Sequence, residues 1–174
     1  METEARPSGR PSENAGAGRL HVKVAFDSVV LGAWLHPDAK YPATAHRIPE
    51  RLAYLVKTLE EKRSTLLVPT PALAEFLVLA ENDAPAYLKR LARNRAIEIV
   101  PFDERAAVEA AEAEILAVQA GDSKAGAAGP RQKIKVDRQI VAIAKVRQVD
   151  CLYSEDSDVA KIAIPMGVTV QGLS

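Results

Sequence analysis

Four acidic residues, Asp27, Glu75, Asp137 and Asp156, stand apart from the other carboxylates of this chain. Most of the others fall on helix faces that read as solvated. Asp27 and Asp156 instead follow apolar strand segments, and Glu75 and Asp137 sit beside apolar helical stripes. Carboxylates repel one another, so a crowd of them at buried element ends is either well solvated or held by a cation. An all-oxygen set without His or Cys suits Mg²⁺ or Mn²⁺, hard ions that bind through few carboxylates, keep several waters and accept phosphate oxygens. The four acids are far apart in sequence, so only a fold can bring them together. A plainer reading stays open: Asp27 and Asp156 as N-caps, and Glu75 and Asp137 as acids favoured by a helix dipole.

The elements that must position these acids alternate in type. Residues 21–26, His-Val-Lys-Val-Ala-Phe, read as a strand ending at Asp27-Ser28, after which Val29, Val30, Ala33 and Trp34 recur at helical spacing. Residues 36–49, with three prolines and His36, Lys40, His46 and Arg47, predict a long basic loop. An amphipathic helix over 50–63 buries Leu52, Leu55, Val56 and Leu59. A second strand over 65–69 follows. Thr70 as N-cap and Pro71 at the first helical position then open a helix carrying Leu73, Phe76, Leu77 and Ala80.

A helix over 84–94 directs Leu88 and Leu91 inward, and a third strand is expected over 97–102. Asp103 caps an Ala-rich helix that runs to about residue 120, and glycines with Pro130 break the chain over 121–130. A helix over 133–148 buries Val136, Ile140, Ile143 and Ala144, which sets Asp137 at the stripe's edge. The stretch Asp-Cys-Leu-Tyr-Ser-Glu-Asp-Ser-Asp at 150–158 is a short strand that runs out into hydroxyls and carboxylates. A short helix over 157–163 and a last strand near 168–170 complete the chain. Strands alternating with helices predict a parallel sheet covered on both faces, with ligands bound outside the strands' carboxyl ends where the strand order reverses.

The totals exclude several classes. At 174 residues one domain is expected, over 20–174, preceded by a disordered tail over 1–19 that lacks bulky apolar side chains. Gly16-Ala17-Gly18 precedes the first strand and so cannot be a dinucleotide loop. Lys plus Arg equals Asp plus Glu at 23 each, so any polyanion-binding surface is a local patch. The single Cys151 fits a reducing compartment, and no apolar run is long enough to span a bilayer, which predicts a soluble, cytoplasmic protein. His21, His36 and His46 show no metal-binding spacing. Ser28 and Ser154 lie in no nucleophile elbow. Position 29, Val, lacks the second Asp that a haloacid-dehalogenase-like phosphatase needs.

The segments VAFDS at 24–28, PTPALAEF at 69–76, VDRQIVAIA at 136–144 and LYSEDSDV at 152–159, in this order, resemble the four motifs of the PIN-domain nucleases, especially the toxin type called VapC. That resemblance implies a three-layer α/β/α sandwich with a central parallel sheet. It also implies a Mg²⁺- or Mn²⁺-dependent endoribonuclease with Asp27, Glu75, Asp137 and Asp156 as catalytic acids, the ion on Asp27, Asp137 and Asp156, and support from Ser28, Ser154 and Asp158. Arg131, Lys133, Lys135 and Arg138 on one side, with Arg47 and Arg51 on the other, are then the RNA-binding candidates; the plainer reading of these cations is a solvated helix face. A cognate antitoxin and a homodimer, paired through apolar helices around 73–91, are the implied partners. A PIN-like binding module without turnover, or a housekeeping RNA-processing nuclease, are the alternatives. Val159 stands where many toxins carry an aromatic residue.

Overall fold

A computed structural model describes residues 21–36 and 48–173. The expected tail over 1–19, most of the basic loop and Arg47 lie outside the described residues. Five strands form one wholly parallel sheet in the order β3-β2-β1-β4-β5: β1 (Lys23–Phe26), β2 (Thr65–Pro69), β3 (Ile97–Val100), β4 (Cys151–Tyr153) and β5 (Val170–Gln171). The helices between them are α1 (Ser28–Leu35), α2 (Ile48–Glu61), α3 (Thr70–Ala80), α4 (Ala84–Arg93), α5 (Glu104–Gln119), α6 (Arg131–Val146) and α7 (Ser157–Met166). This is the three-layer α/β/α arrangement that the alternation predicts.

Successive strand residues point to opposite faces, and the core divides accordingly. Val24, Phe26, Leu66, Val68 and Cys151 pack with α1, α2 and the inner edges of α3 and α4. Ala25, Leu67 and Leu152 pack with α5, α6 and α7. Helix α3 lies at the seam: Leu73 and Phe76 join the first cluster, and Ala72 joins the second. Phe26 is fully buried, edge-to-face against Trp34 at 6.2 Å and Tyr153 at 5.9 Å between ring centres. A buried aromatic of this kind stabilises by roughly 1.5–3 kcal/mol. It holds the end of β1 one residue before Asp27.

The strand order reverses beside β1. The chain moves from β1 outward through β2 to β3, then returns to lay β4 on the other side of β1. The carboxyl ends of β1 and β4 therefore bound the crevice at the switch point, and Asp27 N–H donates to Tyr153 O across it at 3.2 Å.

Three local expectations are corrected. Thr70 is not an N-cap: Pro69 takes that position without a side-chain bond, and Thr70 Oγ1 accepts from Phe102 N–H at 3.1 Å, tying the end of β3 to α3. Leu88 is exposed, because Tyr87 takes the inward place, 5.1 Å from Phe76 between ring centres and bonded to His36 Nδ1 at 2.8 Å. The last strand begins at Val170, since Gly167 ends α7 in the left-handed region at φ 72° and Val168 N–H closes back on Ala163 O. No helix among the described residues is long and apolar enough to cross a membrane.

Candidate active site

Asp27, Glu75, Asp137 and Asp156 line one cleft of about 390 Å³ at the switch point. Each is placed by a different element. Asp27 leaves β1 and caps α1, with Oδ1 accepting from Val30 N–H at 2.8 Å. Asp156 caps α7, with Oδ1 accepting from Asp158 N–H at 2.8 Å while Oδ2 is turned to Lys133. A carboxylate has two oxygens, so the capping role and a role in the cleft coexist at Asp156. Glu75 enters from α3, and Asp137 from the buried face of α6.

Ser154 joins two of the acids. Its hydroxyl bonds the Asp27 carboxylate and accepts from Asp156 N–H at 3.0 Å. A hydroxyl donates one proton and can still accept, which is the combination required here. Ser28 begins α1 and lines the same cleft.

The electrostatics record crowding. Burial raises the Asp27 carboxyl to about 6, against the pull of Ser154 and Val30, and the charges of Asp137 and Asp156 add to the rise. Asp137 is also raised, first by burial and then by Asp156 and Glu75, in spite of its bond to Lys133. Lys133 Nζ lies 2.7 Å from Asp137 Oδ2 and 2.6 Å from Asp156 Oδ2. Burial pulls its pKa down, but the two carboxylates outweigh burial and the net shift is upward.

Lys133, a candidate for backbone phosphate by sequence, lies instead inside the acid group. The signal was its spacing four residues before Asp137, which puts the two side chains on one helix face. Arg138 is also corrected. It is 3% exposed, paired with Glu114 at 3.2 Å and donating to Ser123 O at 3.1 Å, so it offers nothing to an external phosphate. Arg131 and Lys135 are exposed at the start of α6. Arg51 donates to Leu173 O at 2.6 Å. Val29, Val78 and Leu79 give the cleft an apolar, solvent-exposed lining that the acids alone did not suggest.

Asp158 does not line the cleft. Its carboxylate accepts from Ala128 N–H at 3.1 Å to both oxygens, Gly129 N–H at 2.9 Å and Lys161 Nζ at 3.0 Å. These donors, Ala128 first, hold its pKa down to about 2. It is a latch between α7 and the turn before α6. Asp158→Asn keeps the size but loses the charge and one acceptor oxygen, so we expect it to melt several degrees below wild type. A thermal scan that shows no change would remove the latch. Glu155 is exposed and accepts from Leu173 N–H.

A second cavity of about 480 Å³ lies among α5, α6 and α7. Its cationic members Arg138, Lys145 and Lys161 are already paired with Glu114, Glu109 and Asp158. The convergent chemistry is in the cleft.

The sequence matches the PIN domain family over residues 43–165. The chain belongs to the PIN domain family. The matched span is well over half of the chain; it contains Glu75, Asp137 and Asp156 and begins after Asp27. No curated protein matches the chain. Among solved structures, the PIN chain is similar to one from the VapBC2 complex of Rickettsia felis bound to a promoter DNA fragment, at TM-score 0.60 and 14% identity, covering 87% of this chain and 98% of that one. It is similar also to one from DNA-bound VapBC of Salmonella typhimurium, at TM-score 0.56 and 14% identity, covering 88% and 99%. At that identity the likeness is one of fold.

Proposed function

We propose that this PIN domain, spanning 20–174, is a Mg²⁺- or Mn²⁺-dependent endoribonuclease that hydrolyses RNA phosphodiester bonds in the cytoplasm. The observation that carries the reading is the convergence of four carboxylates from four elements at the sheet's switch point. The donor set fits a hard divalent ion: it is all oxygen, and the mutual repulsion that helps raise Asp27 and Asp137 is what such an ion relieves. The Lys133 ammonium already stands as a cation between Asp137 and Asp156. Among the described residues, no three acidic, His or Cys side chains are grouped closely enough to hold one ion as they stand.

Asp27, Asp137 and Asp156 would hold the ion, which would supply charge neutralisation at the phosphate and a lowered pKa for the attacking water. The chain's own contributions are positional. Ser154 keeps the Asp27 carboxylate and the Asp156 backbone in fixed relation, and Glu75 reaches into the cleft from α3 to orient the water. Arg131 and Lys135 offer charge to the flanking backbone phosphates.

The role that fits best is the toxin of a toxin–antitoxin pair, a reading supported by the likeness to the two DNA-bound VapBC structures described above. The exposed Val29, Val78 and Leu79 are suited to an antitoxin that covers the cleft. Homodimerisation through α3 and α4 is consistent with Val78 and Leu79 being 76% and 77% exposed. The test is cleavage of a labelled structured RNA with Mg²⁺, with Mn²⁺ and with EDTA. Cleavage should require the ion and stop in EDTA; equal cleavage in all three would reject the reading. A binding module without turnover is the second reading, favoured by Lys133 neutralising two of the acids. Metal binding and an intact fold without cleavage of any RNA would support it.

A further inference from the structure

Lys133 stands in the first turn of α6, and its ammonium touches Asp137 and Asp156 at 2.7 and 2.6 Å. These are two of the three carboxylates assigned above to the ion. A divalent ion of this class sits about 2.0–2.2 Å from its oxygens, so it cannot share the space between two carboxylates with an ammonium already hydrogen-bonded to both. The side chain is 41% exposed, against 7% for Asp137 and 26% for Asp156. Its charge is carried on a flexible four-carbon stem. The head can therefore leave the cleft by changing rotamer, with no backbone movement.

The wall behind the stem is fixed. A Cβ placed on Gly129 would lie 3.5 Å from Lys133 Cδ and 3.3 Å from Asp158 Oδ2, and Gly129 N–H is held by that same Asp158 oxygen at 2.9 Å. The latch on α7 thus sets the strip of backbone along which the lysine runs. Its head meets the acids at one end of a positioned stem.

We propose that Lys133 is a built-in counter-cation occupying the ion's place between Asp137 and Asp156, and that a divalent ion enters the cleft only by displacing it. The inference rests on the metal-binding reading of the site. It accounts for how clustered carboxylates are tolerated in the folded chain without an ion. It also makes the apparent metal affinity a difference between two cations competing for the same oxygens. The displaced ammonium stays tethered at the start of α6, beside Arg131 and Lys135, where it adds positive charge to the rim.

The experiment is a calorimetric titration of the full chain with Mn²⁺ at neutral pH and low salt. Lys133→Met keeps the stem and removes the competitor, so it should bind Mn²⁺ about tenfold more tightly, equivalent to ~1.4 kcal/mol. Lys133→Arg brings a planar guanidinium that can bridge both carboxylates, so it should bind Mn²⁺ more weakly than wild type. The rise in melting temperature on adding Mn²⁺ should follow the same order. Equal or weaker binding by a folded Lys133→Met overturns the proposal. If that variant does not fold, Lys133→Arg decides it alone, because unchanged or tighter binding there overturns it. Mn²⁺ binding that neither substitution alters removes the role of Lys133 and leaves the metal site standing. No Mn²⁺ binding by wild type and Lys133→Met removes both.

Discussion

Asp27→Asn is expected to yield a folded protein whose RNA cleavage is lower by about a thousandfold or more, since ion-borne charge stabilisation contributes several kcal/mol and each ~1.4 kcal/mol is tenfold in rate. The substitution separates the two roles of this residue. Asn caps a helix about as well as Asp, so the bond from Val30 N–H to the side chain survives. What is lost is the negative charge of a residue that is only 2% exposed at the switch point. Stability should move the other way. The folded carboxyl is raised to about 6 from 3.8, so its favourable contribution is present below 3.8 and is lost as pH rises through 6. At neutral pH in EDTA the charged group is then a cost to the fold, and the amide removes that cost. Activity on labelled RNA and thermal melts in EDTA check both halves. Wild-type cleavage by Asp27→Asn would remove Asp27 from the site, and a melt several degrees below wild type would show that the charged carboxylate stabilises the fold rather than costing it.

The acids were legible in the sequence because each breaks a local pattern. Asp27 and Asp156 end apolar strand runs, and Glu75 and Asp137 interrupt the edges of apolar helical stripes. The alternation of strands and helices sufficed for a parallel sheet. The order β3-β2-β1-β4-β5 was not legible, because it depends on which strand edges pair, and two- to five-residue strands carry too little pattern to specify neighbours. The opposition between capping and site roles dissolved for a stereochemical reason. At Asp156 one oxygen serves the helix and the other meets Lys133.

The basic residues of α6 were the hardest to sort. Arg131, Lys133, Lys135 and Arg138 look alike as a charge run, yet the fold deals them to different surroundings. Position 138 falls among the buried Ile134, Asp137 and Val141, whereas 131 and 135 face solvent. Periodicity sets Lys133 on the face of Asp137, four residues away, but it leaves Arg131, Lys135 and Arg138 on one face. What separates Arg138 from the other two is tertiary: α5, through Glu114, and the turn at Ser123 cover it.

Arg138→Ala follows from that sorting and should be the most destabilising substitution among these cations. Truncation removes a long buried stem and leaves the Ser123 carbonyl without its donor. Emptying a core site of that size and orphaning one acceptor together cost about 3 kcal/mol. In a domain of this size that corresponds to a fall in melting temperature of roughly 10 °C. Glu114 keeps access to water, being 46% exposed, so the uncompensated charge left on it adds little. Arg138→Met restores the packing of the stem and should recover much of the loss. Arg131→Ala should leave the melt near wild type and weaken RNA binding instead, with the effect shrinking at high salt. Thermal scans beside RNA-binding titrations at two salt concentrations decide the matter. A stable Arg138→Ala protein with selectively weakened RNA binding would return Arg138 to the phosphate-binding surface and overturn its place as a strut between α6, α5 and the turn that follows α5.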